Sequence, residues 1–518
     1  WNPLATLTRQ EPGRGRPWCR LLLGRVVMSE KPSSSETPRF LSFRNWISLS
    51  GLVVIVGALF SFVLLFILDT LAQASNPYVG ILTWFVTPGF LFFGLGLFLF
   101  GAWRWRRRYG ASLIPRIQID LSQPKDRRAL AFFACGGVGF LLLSAVGSYH
   151  TYHFTESVTF CGQACHTVMK PEMVTYHNGP HARVACVECH IGPGAEWFVK
   201  AKISGSYQLY SVAFNKFPRP VPTPIQNLRP ARDTCERCHW PEKFAGDFIR
   251  NYNYYLGDES NSHHAISMVM KVGGASSRDG IAEGIHWHVN PGHKIEYLAT
   301  DDKRLVIPWV RMTEADGTVI EFRTRSFTND IAGYEIRTMD CVDCHNRPAH
   351  RYKSPSDAVN LAMARGRMDP SLPWLKTNAI FVLTRDYQTE AEGLAGIARL
   401  MRERYPNEPR VEPAIAALQD IFTNNFFPEM RASWKAYPEH IGHKDWPGCA
   451  RCHDDQHFAV GNPKRKIGFS NCAECHIIQA QGTGPQLKEL SATGHPFVHP
   501  GEEVPDGFLC HDCHGESK

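Results

Sequence analysis

The stretch FCGQACHTVMKPEMVTYHNGPHARVACVECH, from Phe160 to His190, holds two cysteine pairs, and a histidine directly follows the second cysteine of each pair. The later pair, within Cys186–His190, has the CxxCH spacing that is typical of c-type haem attachment. In such a site two thiols bond covalently to the porphyrin, and the adjacent imidazole ligates the iron. The earlier pair, within Cys161–His166, has three residues between its cysteines. The stretch therefore predicts two haems at neighbouring places in the chain.

The CxxCH motif returns five more times before the end of the chain. The predicted attachment cysteines are Cys161, Cys165, Cys186, Cys189, Cys235, Cys238, Cys341, Cys344, Cys449, Cys452, Cys472, Cys475, Cys510 and Cys513. The predicted proximal iron ligands are His166, His190, His239, His345, His453, His476 and His514. Seven sites thus use fourteen of the 16 cysteines, which indicates seven covalently bound haem c groups.

Structural zinc and disulfide bonds are the other interpretations of paired cysteines. A zinc site joins two cysteine pairs, or one pair and spaced histidines, into a tetrahedral set, and it needs no histidine directly after each pair. A disulfide needs no such histidine either. The repeated histidine therefore favours haem in every motif.

Three apolar segments predict an α-helical membrane anchor of three transmembrane helices, in residues 46–149. Trp46–Leu68 and Ile81–Phe100 are each long enough to span a bilayer, and Leu130–Val146 reaches that length when it is extended to Tyr149. A cleaved signal peptide is the alternative for the first helix, because Ala72 to Ala74 forms a small-x-small site. The length of the apolar run favours retention of the helix.

Charge sets the predicted orientation in a bacterial inner membrane. Asp69–Gly80 contains no Lys or Arg, whereas Arg104–Arg128 carries eight. By the positive-inside rule, this basic loop and the tail 1–45 are cytoplasmic, and the chain after Tyr149 is periplasmic. Haem attachment outside the cytoplasm requires the same side. The net charge of +7 is concentrated on the cytoplasmic side, so it does not indicate nucleic-acid binding. Residues 1–27 lack periodicity, and Met28 is a candidate start.

The periplasmic part is predicted to be a loop-rich, mainly α multihaem cytochrome c domain with a small β insert. Residues 150–240 carry haem sites 1–3, residues 241–340 form the β-containing insert, and residues 341–518 carry haem sites 4–7. Predicted elements are an amphipathic helix within Gly194–Lys216, a hairpin of Leu305–Met312 and Val319–Thr324, and helices over Ser356–Arg367, Glu390–Tyr405 and Glu412–Phe422. The amphipathic helix is expected near the membrane surface, or packed on a haem. The region of the last three motifs shows almost no pattern of regular structure.

Each iron needs a second axial ligand, and histidine on both faces gives low-potential haems that carry electrons. The candidate distal ligands are His177, His181, His286, His288, His350, His457 and His495, with His150, His153, His263, His264, His440 and His443 in reserve. Spacing does not pair them with particular haems. Met169 follows His166 by three residues and is within reach of the first iron, and a methionine that only packs is the alternative.

The membrane anchor, the segment FCGQACHTVMKPE and the segment HNGPHARVACVECHIGPGAEWFVKAKISG together resemble the NapC/NirT/NrfH family of membrane-anchored multihaem quinol dehydrogenases. The resemblance covers mainly residues 149–239 and is strongest to the seven-haem inner-membrane branch found with extracellular metal respiration. The chain departs from the four-haem members by its three predicted helices and its longer first motif. It also lacks an acidic residue within Ser204–Gln208, where the family places one after a lysine.

The resemblance implies that quinol is oxidised beside the first haem, with a methionine as an axial ligand and a lysine at the quinol. Carried over by position, Met169 is that methionine, and Lys200 or Lys202 is that lysine. Tyr207 and Tyr210 follow on the same predicted helix. Glu172 is a candidate proton acceptor.

These features predict a quinol dehydrogenase that takes electrons from menaquinol in the membrane quinone pool and passes them through its haems to periplasmic c-type cytochromes. A terminal reductase of a small nitrogen or sulfur oxyanion is one alternative, and its site would lie in Asn253–His293. An electron-relay subunit of a larger complex is another. The sequence leaves open the direction of electron flow, the identity of the acceptor and the oligomeric state.

Overall fold

The computed structural model describes most of the chain from Trp46 onward. The described residues are 46–71, 86–109, 121–164, 166–192, 195–225, 229–240, 246–273, 284–290, 292–469, 471–501, 503–505 and 508–515. The predicted cytoplasmic tail, the start of the second predicted span and Cys165 lie outside them. The side chains of His166 and Lys202 also lie outside the description.

The chain divides into two units, of which the first combines residues 1–56 and 91–118. This unit contains parts of helices α1 (Trp46–Leu71) and α2 (Thr87–Tyr109). Glycine lets the backbones of the two helices approach closely. If residue 51 carried a side chain, its Cβ atom would lie only 2.5 Å from the backbone nitrogen of Phe98, which is too close for a non-bonded contact. The Ser48 hydroxyl donates a hydrogen bond to the Phe98 carbonyl at 3.0 Å. The two helices therefore pack through a small-residue contact of the kind found in membranes.

Two described segments, Ile47–Phe66 and Thr87–Arg108, are long and apolar enough to cross a membrane. Helix α3 (Pro124–Thr155) contains the third predicted span, and its crossing of the membrane stays a prediction. The basic segment Arg104–Arg128 was predicted to be a loop, but both of its ends are helical. Its first arginines lie in the last turns of α2, and Lys125 lies in the first turn of α3.

The second unit begins with Gly57–Phe90 and continues from Ile119 to the end of the chain. After α3 come a π-helical turn, Phe160–Ala164, and a series of helices, some of which carry haem-motif residues. The helices are α4 (His166–His177), α5 (Cys186–His190), α6 (Ala195–Ala213), α7 (Ala231–Cys235), α8 (Cys341–Cys344), α9 (Pro355–Ala364), α10 (Leu375–Leu383), α11 (Glu390–Arg404), α12 (Val411–Asn425) and α13 (Cys510–His514).

Helices α9 to α12 form a helical module, residues 354–425, that contains no haem motif. Its core consists of fully buried apolar side chains such as Val359, Leu375 and Leu418. Ser354 caps α9 by accepting from the Asp357 N–H, and Pro355 begins the helix, where a missing N–H costs nothing. Three of the four helices agree with the predicted helical segments, whereas α10 was not predicted.

In the part of the chain that the structure describes, nine strands form two antiparallel sheets. The strands are β1 (Phe248–Tyr255), β2 (His263–Met270), β3 (Lys294–Leu298), β4 (Trp309–Thr313), β5 (Val319–Thr324), β6 (Ile336–Thr338), β7 (His457–Ala459), β8 (Asn462–Lys466) and β9 (His476–Gly482). One sheet has the order β1-β2-β9 and the other β6-β3-β4-β5-β7-β8. The predicted hairpin is confirmed, because β4 pairs with β5 with Trp309 opposite Arg323.

The β structure is larger than the insert that was predicted for residues 241–340. Strand β7 pairs with β5, and β9 pairs with β2, so both sheets are completed by strands from beyond residue 450. The expectation that the region of the last three motifs has almost no regular structure is therefore wrong. The short strands there are stabilised by partners that lie more than 100 residues earlier in the chain, and local periodicity cannot show this.

Candidate functional site

Most of the CxxCH motifs lie on, or begin in, a single turn of helix, which places both thiols on one side. The second and seventh motifs are helices α5 and α13 themselves, and the fourth begins with α8. The fifth and sixth motifs begin in 3₁₀ turns, Gly448–Arg451 and Cys472–Glu474. Because residues three apart share a helix face, each turn presents two thiols together and the histidine directly after them.

The described cysteines offer no support for the zinc and disulfide interpretations. All fourteen of them are free thiols. Within the described residues, no three His, Cys, Asp or Glu side chains converge as a metal ion would need. Apolar side chains near the motifs, such as Trp240, Phe497 and Phe508, are exposed, and this is surface that a porphyrin face could cover. The donor set and its surroundings therefore fit haem.

Six of the seven motif histidines each face one histidine from outside the motifs. The ring-centroid distances are 6.3 Å for His190–His350, 6.1 Å for His239–His181, 6.2 Å for His345–His286, 5.8 Å for His453–His288, 6.3 Å for His476–His443 and 6.1 Å for His514–His499. A metal–imidazole bond is about 2 Å long and the ring centre lies about 1 Å beyond the nitrogen, so two imidazoles on one metal have centroids about 6 Å apart. The six pairs thus have the separation that an iron between them requires.

Hydrogen bonds orient four of the facing histidines. In each of them the Nδ1–H group donates to a backbone carbonyl. His181 donates to Pro348 and His286 to Val272, both at 3.1 Å. His288 donates to Ile285 at 2.8 Å, and His350 donates to Glu172 at 2.9 Å. A hydrogen bond of this kind fixes the tautomer and leaves Nε2 free for a metal. These rings are therefore held in the state that ligates iron.

Burial keeps several of these imidazoles neutral. It lowers the pKa of His190, and the facing His350 lowers that pKa further. The pKa of His288 is lowered in the same way by burial, and His453 contributes to the shift. A neutral imidazole is the form that binds a metal, so the environment favours ligation.

The predicted distal ligands divide into two groups. His181, His286, His288 and His350 each face a motif histidine, as described above. His457 is wholly buried, and its ring nitrogens lie 2.8 Å from Asp454 Oδ1 and 2.7 Å from the Ile307 carbonyl oxygen. Both ring nitrogens of His457 thus lie against oxygen acceptors, so the prediction of His457 as an iron ligand gains no support from these contacts.

The other predicted ligands lie elsewhere. His495 Nε2 is 3.0 Å from the Glu489 carbonyl oxygen, and the ring of the exposed His177 lies 5.1 Å from that of Tyr176. The remaining two motif histidines, His476 and His514, face His443, which was a reserve candidate, and His499, which was not predicted. His499 lies eleven residues before Cys510, and nothing in that spacing marks it as a ligand.

The first motif lies directly after helix α3. The Cys161 N–H donates to the Ser157 carbonyl at 3.1 Å, and the rings of Phe154 and Phe160 are 5.4 Å apart. Met169 is half-buried on α4, and the sulfur of Met173 lies against Gly162 inside the motif. Met173 is a neighbour of the motif that sequence reasoning missed, and its spacing from Cys161 gives no signal.

The quinol-site candidates lie on α6. The Lys200 ammonium group is exposed and lies 4.6 Å from the centre of the Trp197 ring. Tyr207 and Tyr210 are exposed on the same helix, with ring centroids 6.3 Å apart. The helix therefore presents a cation and phenol groups outward, which is the kind of surface that could bind a quinol.

Glu172, the candidate proton acceptor, lies among polar side chains from residues 347–352. Both carboxylate oxygens accept hydrogen bonds from Arg347 at 3.1 Å, and Oε1 also accepts one from the Tyr352 hydroxyl at 3.2 Å. The carboxylate also lies 3.2 Å from His350 Nδ1. The role of Glu172 as a proton acceptor stays a prediction. Its contacts assign it to holding His350.

Consecutive motifs are neighbours in space. The Cys161 thiol lowers the pKa of Cys186, and the Cys341 thiol lowers the pKa of Cys235. Burial raises the pKa of four other motif thiols, and in each case a thiol of an adjacent motif raises it further. Cys235 acts on Cys189, and Cys449 acts on Cys344. Cys449 also acts on Cys475, and Cys472 acts on Cys510. Every step from motif 1 to motif 7 is thus bridged by nearby thiols.

Comparison with known proteins gives the family. A model of the N-terminal region of the NapC/NirT cytochrome c family matches residues 123–221, from the start of α3 through α6. The chain is 40% identical over 489 residues to the cytochrome c-type protein ImcH of Geobacter sulfurreducens, an alignment that covers 91% of this chain and 95% of that protein. No solved structure matches the chain. The chain therefore belongs to the NapC/NirT family of c-type cytochromes, which are membrane-anchored electron-transfer proteins with covalently bound haem.

Proposed function

We propose that this chain is a heptahaem quinol dehydrogenase of the bacterial inner membrane. It oxidises menaquinol at the periplasmic face and delivers the electrons to periplasmic c-type cytochromes in anaerobic or extracellular respiration. The observation that carries the proposal is the set of six facing imidazole pairs in a chain of this family. When bound, the haems would supply one-electron redox chemistry, and the protein would supply ligands, spacing and a site for the donor.

The axial ligands follow from the pairs. We assign His350, His181, His286, His288, His443 and His499 as the distal ligands opposite His190, His239, His345, His453, His476 and His514. For the first iron, Met169 and His166 remain the proposed ligands. Histidine on both faces leaves no position for a substrate at iron. The assignment therefore favours electron transfer over the reductase alternative.

A reductase site was expected in the segment Asn253–His293. The histidines of this segment favour electron transfer instead. His286 and His288 lie in one 3₁₀ turn, Ile285–Val289, and face His345 and His453. In this assignment the two adjacent side chains serve two different haems. The segment would then bridge the fourth and fifth sites, which favours a relay between them.

The spatial order of the motifs supports a path that follows the sequence. Motif 1 lies at the end of α3, where the chain leaves the predicted membrane span. Each later motif neighbours the one before it, and Arg237 of motif 3 pairs with Glu188 of motif 2 at 3.0 Å. Electrons entering beside motif 1 would then leave from motif 7, at the other end of the series.

The quinol site is proposed on α6, within the region that the family model matches. Lys200 and Lys202 would bind the quinol oxygens, and Tyr207 and Tyr210 would flank the ring. A lysine beside a quinol can donate a hydrogen bond to its oxygen and stabilise negative charge as the proton leaves. These residues are therefore assigned to binding and orienting the donor.

The test uses the purified full-length protein in detergent. A menaquinol analogue is expected to reduce the wild-type haems, and the Lys200→Ala/Lys202→Ala variant is expected to be slowed at least tenfold because the donor is no longer oriented. Lys488→Ala, which removes an exposed lysine far along the chain, is the matched control and should behave as wild type. Stopped-flow absorbance at the haem α-band measures the rate, and dithionite gives the full amplitude.

Other outcomes separate the alternatives. Normal quinol reduction in the double variant would remove the lysine assignment. Wild-type protein that stays inert to quinols but is reduced by dithionite would favour a relay subunit. A high-spin signal that shifts when nitrite is added would favour a reductase. An intact mass with fewer than seven haems would correct the cofactor count.

A further inference from the structure

Lys376 on α10 is a buried cation that forms no direct ion pair with any described carboxylate. Its side chain is 8% exposed, and its ammonium group donates to Asn360 Oδ1 at 2.7 Å. Among the described residues, no carboxylate lies within salt-bridge distance of this ammonium group. A buried charge that is satisfied only by a neutral amide is costly, so a missing anion is indicated.

Asn360 on α9 adds a second unsatisfied donor at the same place. The residue is 4% exposed, and its Oδ1 accepts from Lys376 and, at 3.0 Å, from the backbone N–H of Tyr255. Its Nδ2 is buried and has no hydrogen-bond partner. Buried amide groups are rarely left unpaired. The ammonium and amide groups together therefore form a donor pair that a carboxylate would satisfy.

The carboxylates of the neighbourhood are already engaged. Lys444 pairs with Asp357 at 3.1 Å and also contacts Asp445. Asp445 accepts a further hydrogen bond from the Ser354 hydroxyl at 3.0 Å. The anion that Lys376 and Asn360 lack must therefore come from outside this group of side chains.

The seventh motif lies beside this cluster. Gly515 directly follows His514, and its backbone lies close to that of Asp445. A Cβ atom added at Gly515 would be 3.2 Å from the Asp445 carbonyl oxygen. The Asp445 side chain in turn contacts Lys444 and the hydroxyl of Ser354, the residue that caps α9. The end of the seventh motif therefore lies beside the start of the helix that carries Asn360.

We propose that Lys376 and Asn360 bind a propionate carboxylate of the haem attached at Cys510 and Cys513. Propionates are the only anionic groups of haem, and an ammonium–carboxylate hydrogen bond is among the stronger ones in proteins. Burial and the nearby charge of Lys444 lower the pKa of Lys376 to about 8, and a bound carboxylate would raise this pKa again. The inference rests on the haem attachment proposed above.

The experiment is a redox titration of the purified, haem-loaded protein and its Lys376→Met variant, followed at the α-band. Loss of a cation near one iron destabilises the reduced state, so the midpoint potential of one haem should fall while the others stay unchanged. Lys435→Met, which removes an exposed lysine near the same module, should shift nothing. Lys376→Arg keeps the charge and should keep the potential. Asn360→Asp is a second variant in which a new carboxylate competes for Lys376, and it should lower the same potential.

The same substitution in a protein that lacks the seventh haem shows which haem Lys376 contacts. Cys510→Ala/Cys513→Ala protein should lose the mass of one haem, and Lys376→Met should then cause no shift. A shift that persists there would assign the propionate to another haem and overturn the proposal. Unchanged potentials in Lys376→Met protein that carries all its haems would also overturn the proposal. Water would then be the partner of Lys376 and Asn360. If the wild-type mass showed no haem at motif 7, the attachment itself would fail, and the mass distinguishes that result.

Discussion

At the scale of single residues, the role of a histidine follows from what its two ring nitrogens meet. His181 donates from Nδ1 to a carbonyl at 3.1 Å and faces His239 with its ring, at 6.1 Å between centroids. His457 meets an oxygen acceptor at each nitrogen, at 2.8 and 2.7 Å. Only the first arrangement leaves a nitrogen for iron, although both residues are equally plausible ligands in the sequence.

Replacement of His181 should change the spin state of one haem. In His181→Ala protein the iron opposite His239 loses an axial ligand, so we expect a high-spin signal of one haem's intensity in the electron paramagnetic resonance spectrum. His495→Ala is the matched control, since its Nε2 contacts a backbone carbonyl at 3.0 Å. A wholly low-spin His181→Ala protein, or an equal high-spin signal from His495→Ala, would contradict the assigned pairs.

At the scale of elements, the motif turns are held by the residues between their cysteines. Asp343 of the fourth motif is 1% exposed and accepts hydrogen bonds from Arg337 at 2.7 Å and the Tyr297 hydroxyl at 2.7 Å. Arg451 of the fifth motif donates to the Asp343 carbonyl at 2.7 Å. The variable positions of these two motifs therefore fasten one haem-binding turn to the next.

Removal of the buried charge at Asp343 should loosen this contact. Asp343→Asn leaves Arg337 and Arg304 without their shared carboxylate, and we expect a loss of roughly 3 kcal/mol in the free energy of unfolding. Asp420→Asn breaks the exposed pair with Arg367, at 2.7 Å, and should cost less than about 1 kcal/mol. Urea denaturation followed by circular dichroism measures both. Equal losses in the two variants would mean that burial of the pair contributes nothing.

At the scale of the whole molecule, motifs that follow one another in the sequence are neighbours in space. Arg237 of motif 3 pairs with Glu188 of motif 2 at 3.0 Å, and Arg451 of motif 5 donates to the Asp343 carbonyl of motif 4 at 2.7 Å. These contacts support the proposed linear path. The sheets add long-range support, because β9, which begins at the histidine of motif 6, pairs with β2. A linear path has no parallel route around a missing member.

Deletion of the fourth haem should therefore interrupt the path. In Cys341→Ala/Cys344→Ala protein, a menaquinol analogue should rapidly reduce only the haems of motifs 1–3, while dithionite reduces all that remain. Cys510→Ala/Cys513→Ala is the control, in which all six remaining haems should be reduced rapidly by quinol. The fraction of α-band amplitude formed in a stopped-flow experiment measures the effect. Rapid reduction of every haem in the first variant would exclude a linear order.

The sequence by itself determined the haem motifs, the first apolar spans and the family. These features are local: two thiols and a histidine on one turn, or about twenty apolar residues in one helix, need nothing from elsewhere in the chain. The predicted hairpin and three helices of the helical module were equally local, because their periodicity lies within each segment.

The tertiary structure alone decided which histidines face one another, how strands from beyond residue 450 complete both sheets, and where Glu172 and Lys376 lie. His350 lies 160 residues after His190, and His286 lies 59 residues before His345, so no spacing rule relates a ligand to its partner. An axial pair is defined by the two faces of one iron, and distance along the chain does not enter that geometry. Pairing across such distances is set by packing, which the chain specifies only once it has folded.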